Sequence, residues 1–292
     1  MSSNNKLVTV WIPAYNHENF IQETINSVIN QTYDNIELII INDGSPDNTH
    51  EKIMELYDKC KNRFKRFEYI SRENRGLLAT IKEIELLAKG YYISGCASDD
   101  FYTKDKIEKQ VTALDNNPGY ALCYGKMISV DENSKIMSKH YTTKYNKSGY
   151  LFEKLLYRNF ITAPTVMMVR DALNEVGGHD TRYKIDDHPL WLKLSKKYKF
   201  IYLDEDLVYY RDHENNTSKN ISFMVEENEK ILADYSDEAI YPSVIQRHNL
   251  YCFNQLVREN EKELAKKYML KALPGSWYHP KFYKGVLRYF FK

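Results

Sequence analysis

Leu7-Val8-Thr9-Val10-Trp11-Ile12, halted by Pro13, and Ile36-Glu37-Leu38-Ile39-Ile40-Ile41, running into Asn42-Asp43-Gly44-Ser45, are the stretches that decide the fold. Short, nearly continuous apolar runs rich in β-branched residues suit strands covered on both faces, as in a parallel sheet. Between them Ile21, Ile25, Val28 and Ile29 recur at helical spacing, so the unit reads strand, helix, strand. A helix is predicted from Asn48, with Ile53, Leu56 and Cys60 on one face and Ser45, Asp47, Asn48 and Thr49 available to cap it. Phe67–Ile70 reads as a third strand, Leu77, Ile81, Ile84, Leu87 and Ala88 as a third helix, and Tyr91–Ser94 as a fourth strand. This alternation specifies an α/β fold with a mostly parallel sheet and helices on both faces.

Beyond about residue 118 the rhythm changes. Tyr120–Val130 reads as a strand, 131–134 as a turn, Leu151–Tyr157 as a short helix and Ile161–Val169 as a strand. Pro189–Tyr198 reads as a helix, with Phe200–Leu203 and Leu207–Arg211 as two edge-type strands. From about 222 the pattern is helical and charged. The expected division is an α/β domain over 1–218, changing character near 118, and a C-terminal helical appendage over 219–292.

The 292 residues, 43% hydrophobic and 28% charged with 11 Gly and 8 Pro, exclude a disordered or collagen-like chain. With 41 Lys and Arg against 40 Asp and Glu, no overall field favours nucleic acid as a partner. Cys60, Cys96, Cys123 and Cys252 form no CxxC pair, which points away from a zinc site or a disulfide framework and towards a reducing cytosol. The N-terminus does not read as a signal peptide, and no window approaches the roughly 18 apolar residues of a membrane span. A cytoplasmic location is the expectation.

In open α/β sheets ligands bind beyond the carboxyl ends of the strands, and the polar clusters fall there. Strand one ends in Pro13-Ala14-Tyr15-Asn16, strand two in Asn42-Asp43-Gly44-Ser45 and strand four in Ser98-Asp99-Asp100. Asp43 can accept a hydrogen bond from a base or ribose, with Tyr15 as a stacking face, although Asn-Asp-Gly-Ser also reads as a plain turn into the next helix. Asp99-Asp100 suits a hard divalent cation riding on a nucleotide, or else caps the helix that follows. Asp186-Asp187-His188, ahead of Pro189, is a third acidic cluster, in which Asp187 also reads as an N-cap. Arg211 and His213, after a strand, can meet a pyrophosphate and its metal.

Taken in order, these motifs resemble the family 2 glycosyltransferases, inverting enzymes of the GT-A fold that act on nucleotide sugars. The resemblance runs through Ile12 to Asn16, Gln31-Thr32-Tyr33, Glu37, Asn42 to Ser45 with Asp47 and Thr49, and Asn74-Arg75-Gly76. It continues through Ser98-Asp99-Asp100, Gly177-Gly178-His179-Asp180, Asp186-Asp187 and Tyr210-Arg211 to Ser218, covering about residues 7–218.

The resemblance implies a nucleotide-binding half over 1–118 and an acceptor-side half over 119–218. Tyr15 and Asp43 would lie at the uracil, Asp99 at the ribose or metal, Pro13 among the nucleotide-sugar contacts and Arg75 on the donor side. Asp100 and His213 would hold Mn²⁺ or Mg²⁺, Arg211 would close on the diphosphate, and Asp187 would be the general base. The expected activity is a metal-dependent, inverting hexosyl transfer from a UDP-sugar to a saccharide hydroxyl. The acceptor implied is a lipid-linked intermediate of a surface polysaccharide such as O-antigen, capsule or lipooligosaccharide. Three positions depart from the family pattern: Ala97 replaces an acid, Asp186 a Glu and Lys82 an Asn. The Gln-x-x-Arg-Trp motif of processive members is not found, so one sugar per encounter is expected. The rival readings are a non-catalytic nucleotide-sugar-binding protein and a nucleotidyltransferase, though 13–16 supply no Gly-rich phosphate loop.

Residues 262–292 carry eight Lys and Arg against one acid, Glu263, interleaved with Trp277, Tyr278, Phe282, Tyr283, Tyr289, Phe290 and Phe291. Such a segment suits the interface of an anionic leaflet at the inner face of the cell membrane. The other reading is a helix that packs its aromatics on the protein.

Overall fold

A computed structural model describes residues 5–139, 146–214 and 216–291. Asn215 of the late motif and Lys292 of the basic C-terminal stretch lie outside the described residues. The chain divides into two units: 1–152 with 160–182 and 186–213, and 153–159 with 183–185 and 214–292.

In the first unit the elements follow as β1 (Val8–Ala14), α1 (Ile21–Ile29), β2 (Ile36–Asp43), α2 (Thr49–Met54), α3 (Tyr57–Arg63), β3 (Arg66–Arg72), α4 (Leu77–Leu87) and β4 (Tyr92–Gly95). Next come β5 (Phe101–Tyr102), α5 (Lys106–Asp115), β6 (Tyr120–Val130) and β7 (Ile136–Lys139). After α6 (Phe152–Tyr157), which falls almost wholly in the second unit, come β8 (Met167–Val169), α7 (Arg170–Glu175), α8 (Asp187–Lys197) and β9 (Lys199–Arg211). One sheet runs β3-β2-β1-β4-β8-β6-β9-β5, with β7 beside β6. The pairs β1–β2, β1–β4, β2–β3 and β6–β9 are parallel, while β8, β5 and β7 run against their neighbours.

Every residue of β2 is buried, as its nearly continuous apolar run implies, Glu37, Asn42 and Asp43 included. Val8, Val10, Ile12, Ile36, Leu38 and Ile40 form one sheet face, packed with Ile21, Ile25 and Val28 of α1 and Ile107, Val111 and Leu114 of α5. At roughly 1.5–3 kcal/mol for each large apolar side chain removed from water, this layer dominates the stability of the unit. At the end of the sheet away from the site, buried Glu37 accepts from the N–H groups of Lys89 and Gly90 and pairs with Arg66.

Two expectations about strands change. Ile161–Val169 is a strand only over β8, because Ala163–Thr165, with Pro164, makes a 3₁₀ turn closed by the Thr165 hydroxyl on the Thr162 carbonyl (2.7 Å); proline also removes a ladder donor. The two edge strands after residue 200 are one strand, β9, lying between β6 and β5. Asp204-Glu205-Asp206 reads as a break, yet the chain carries it through register shifts opposite Gly125 and Lys126. Lys126 pairs with Asp204 (3.1 Å) and Lys109 with Glu205 (2.8 Å). A Cβ at Gly125 would lie 2.6 Å from the Leu207 side chain, so glycine permits this close approach.

The second unit contains α9 (Ile221–Ala233), α10 (Tyr241–Arg258), α11 (Lys262–Ser276) and α12 (Pro280–Phe291). Its core gathers Val225, Cys252, Phe253, Leu256, Tyr268 and Phe282. Among the described residues no helix is long and apolar enough to cross a membrane.

Candidate active site

The polar residues at the carboxyl ends of β1 and β2 knit two loops together. Asn16 adopts a positive φ of 55°, which Asn tolerates better than most residues. Its N–H donates to Ser45 Oγ (3.0 Å), that of His17 to Thr49 Oγ1 (3.0 Å) and that of Glu18 to Asp47 Oδ2 (2.9 Å). The Ser45 hydroxyl donates in turn to Asn42 Oδ1 (2.6 Å). The second loop therefore acts as a mould for the first as well as a start for α2. Gly44 sits at φ 70°, and a Cβ there would lie 2.6 Å from the backbone nitrogen of Asn74, so only glycine lets the two chains meet.

Asp43, 4% exposed, accepts from the N–H groups of Arg75 and Gly76 (both 2.9 Å) and pairs with the Arg72 guanidinium. These bonds fix the turn from β3 into α4 and shape a cavity of about 260 Å³ lined by Pro13, Tyr15, Asp43, Asn74, Leu77 and Thr80. The two residues expected at a base thus share one small cavity with Pro13, and the half-exposed Tyr15 ring stands on its wall. Arg75 contributes its backbone to this turn, while its exposed side chain reaches towards Glu83 (3.9 Å).

A second cluster follows β4. Oδ2 of Asp99 lies 2.8 Å from Nε2 of His213. Burial disfavours the Asp99 charge, but the His213 hydrogen bond and the neighbouring His17 outweigh it and hold the carboxyl below its usual range. Burial also lowers the pKa of His17, against the pull of Asp99. A carboxylate oxygen and an imidazole nitrogen facing one another in this way fit a divalent cation.

Two residues expected in the site, Asp100 and Arg211, are enclosed by the protein. Asp100, expected beside His213 as a metal ligand, is 1% exposed; one carboxylate oxygen accepts the Arg211 N–H (2.8 Å), and the other is buried with no hydrogen-bond partner among the described residues. Burial, reinforced by the Asp99 charge, pushes its carboxyl well above the usual range. The acid that faces His213 is Asp99.

Arg211, expected to close on a diphosphate, is also 1% exposed. Its Nε donates to the Asp99 carbonyl (2.8 Å), Nη1 to the carbonyls of Asp131 (3.1 Å) and Glu132 (3.0 Å), and Nη2 to Glu23 (2.5 Å). The guanidinium also lies 4.6 Å from the centroid of the Phe20 ring. It is committed to the protein's own backbone and braces the Asp99 segment from behind.

Asp187 comes from a separate element, as the first residue of α8. The cap position belongs to Asp186, whose side chain makes no capping bond, and Asp187 Oδ1 accepts from the His188 N–H (2.6 Å). Sequence reasoning passed over His17, which stands next to Asp99, and Asn74, Leu77 and Thr80 of the cavity. The available signal for His17 was its place directly after Pro13-Ala14-Tyr15-Asn16.

Comparison with known proteins bears on this geometry. Residues 9–177 match the profile described as Glycosyl transferase family 2. The chondroitin synthase of Pasteurella multocida is 31% identical over 221 residues, covering 74% of this chain and 22% of that protein. Another curated relative, also 31% identical, is matched over 36% of its length, so the chain spans only part of these proteins. Among solved structures, Staphylococcus aureus TarS (residues 1–349) in complex with UDP-GlcNAc has a TM-score of 0.66 at 17% identity, covering 97% of this chain and 80% of that one. The mannosyltransferase PcManGT of Pyrobaculum calidifontis, in complex with GDP-Man and Mn²⁺, has a TM-score of 0.65 at 14% identity, covering 97% and 84%. The shared architecture is the GT-A fold.

Proposed function

The chain belongs to glycosyl transferase family 2, and from that premise we propose that it moves one sugar from a UDP-sugar to a hydroxyl of a saccharide acceptor, inverting the anomeric centre. The observation that carries this reading is the pair of sites at the carboxyl edge of the sheet: the cavity of Pro13, Tyr15 and Asp43, and the Asp99–His213 cluster. The first has the size and lining for a base, with a ring to stack on and a buried acid to orient it. The second faces the charge of a diphosphate through a cation, Mn²⁺ or Mg²⁺, which when bound would neutralise the departing nucleotide. Asp187 takes the proton from the acceptor hydroxyl as it attacks. An attack from the face opposite the leaving group turns an α-linked donor into a β-linked product. A nucleotide-sugar complex of TarS and a Mn²⁺ complex of PcManGT, both on this fold, support the donor class and the metal.

The test is a panel of UDP-sugars offered to the purified protein, reading UDP release with and without Mn²⁺. Release from one donor, lost in EDTA, is the expected result. Tight donor binding with no release from any donor would make the protein a binder.

In this reading the acceptor is carried on a lipid intermediate of a surface polysaccharide, at the inner face of the cell membrane. What supports this is α12. Phe282 and Gly285 pack on Phe253, and Val286 and Tyr289 lean on the same core, so part of the aromatic helix does turn inward. Yet Tyr283 (53% exposed), Leu287 (59%), Phe290 (66%) and Phe291 (85%) form a second apolar face in water, as do Trp277 (59%) and Tyr278 (67%) just before it. Between residues 264 and 292 there is no acid and there are seven Lys and Arg, so the occupant of matching chemistry is an anionic bilayer surface. Full-length protein should co-sediment with anionic vesicles and be released by salt. Changing Leu287, Phe290 and Phe291 together to Ser, which leaves Phe282 on its core, should weaken that binding by about tenfold or more, given roughly 25 cal/mol per Å² of apolar area. Equal binding by the two proteins, or none by either, removes the anchor.

A further inference from the structure

We propose that His17 is a third protein ligand of the cation assigned above to Asp99 and His213, and that this set of two imidazoles and one carboxylate makes the site select Mn²⁺ or a similar transition-metal ion over Mg²⁺. The inference rests on that reading of Asp99 and His213 and adds to it a residue and a selectivity.

Three observations carry it. The ligand atoms of His17, Asp99 and His213 all lie within 4.8 Å of one another, with Nε2 of His17 3.9 Å from the same Asp99 oxygen that meets His213. Metal bonds of about 2.1 Å keep two donor atoms within about 4.2 Å of each other, so a pair near the 4.8 Å bound closes by at least about half an ångström when the ion enters.

The second observation is the other nitrogen of His17. Nδ1 lies 2.7 Å from Ser98 Oγ, and buried Ser98 is held in turn by the Thr24 hydroxyl on its carbonyl (3.0 Å). Ligating histidines have their second ring nitrogen held by a hydrogen-bond partner that fixes the ring's orientation, a place the Ser98 hydroxyl fills for His17. Third, the backbone beneath the ring is moulded: the N–H groups of Asn16, His17 and Glu18 are each bound by a side chain of the loop after β2. The ring therefore stands on a built platform.

The choice of ion follows from the donors. Mg²⁺ takes oxygen ligands and sheds water reluctantly, whereas imidazole suits the transition metals. Two imidazoles beside a single carboxylate offer Mg²⁺ little, and they leave the remaining coordination positions to diphosphate oxygens and water.

The experiment uses the full chain with Mn²⁺ or Mg²⁺ alone and again with UDP, without any sugar donor. Electron spin-echo spectroscopy of bound Mn²⁺ counts coupled imidazole nitrogens, and titration calorimetry gives the affinities. Wild type should show two imidazole couplings and bind Mn²⁺ at least tenfold more tightly than Mg²⁺. His17→Phe, which keeps a ring against Phe20, should show one coupling and lose at least about tenfold in Mn²⁺ affinity, since disturbing even an outer-shell partner costs about 10–100-fold, with a smaller change for Mg²⁺. His17→Asn provides the same readout should the Phe ring disturb the fold. A single coupling in wild type, or Mn²⁺ binding by both variants at the wild-type level, overturns the proposal. Two couplings in a protein that releases no UDP from any donor would leave the site standing and remove the transferase reading instead.

Discussion

Replacing Asp187 by Asn should lower sugar transfer by about 10²–10⁴-fold, the range a general base contributes, while UDP affinity stays near wild type. The variant keeps what structure requires at this position. The helix cap falls at Asp186, and the acceptance of the His188 N–H by Asp187 is open to an amide oxygen as well. The capacity to take a proton is lost. UDP release under saturating donor and acceptor, set beside calorimetry with UDP, separates the two quantities. A variant that retains most of its turnover would return Asp187 to a purely structural place at the head of α8.

The second large effect separates two adjacent acids. Asp99→Asn should remove Mn²⁺-dependent UDP binding and lower transfer by about 10²-fold or more, because the charge opposite His213 goes, and losing a few kcal/mol of charge stabilisation is worth that much in rate. Asp100→Asn should leave Mn²⁺ affinity near wild type, since this buried acid serves the backbone of Arg211 and an amide oxygen can accept the same N–H. Mn²⁺ titrations of both variants decide the matter. Were Asp100→Asn the damaging change and Asp99→Asn the tolerated one, the metal would belong to Asp100 after all.

What the sequence disclosed, and what it did not, follows from how far apart the interacting groups lie. The parallel half of the sheet is legible because β1 and β2 are covered on both faces, and continuous apolar runs such as Ile36–Ile41 arise in few other settings. The base cavity is legible in part, since Pro13, Tyr15 and Asp43 sit at strand ends that the β–α rhythm locates. β9 is not, because Asp204-Glu205-Asp206 carries the local signal of a turn, and only Lys126 and Lys109, from other elements, explain why the strand continues. The respective tasks of Arg211 and His213 are equally hidden. Both fall at the end of a strand and both suit a diphosphate. That one turns inward depends on the carbonyls of residues 131 and 132 and on Glu23, none of them near in sequence.

That inward turn of Arg211 also sets when the site can exist. Its partners span the chain, with Glu23 removed by 188 residues and Asp99 by 112. Contacts of such separation close long loops, and chain entropy opposes them until most of the surrounding sheet is in place. The β–α units up to β4 draw on local contacts and can organise early, but Asp99 then has neither the brace behind it nor His213 beside it. On the proposed reading, a chain growing from its N-terminus would form the cavity of Pro13, Tyr15 and Asp43 before the Asp99–His213 cluster, which waits for the docking of β9.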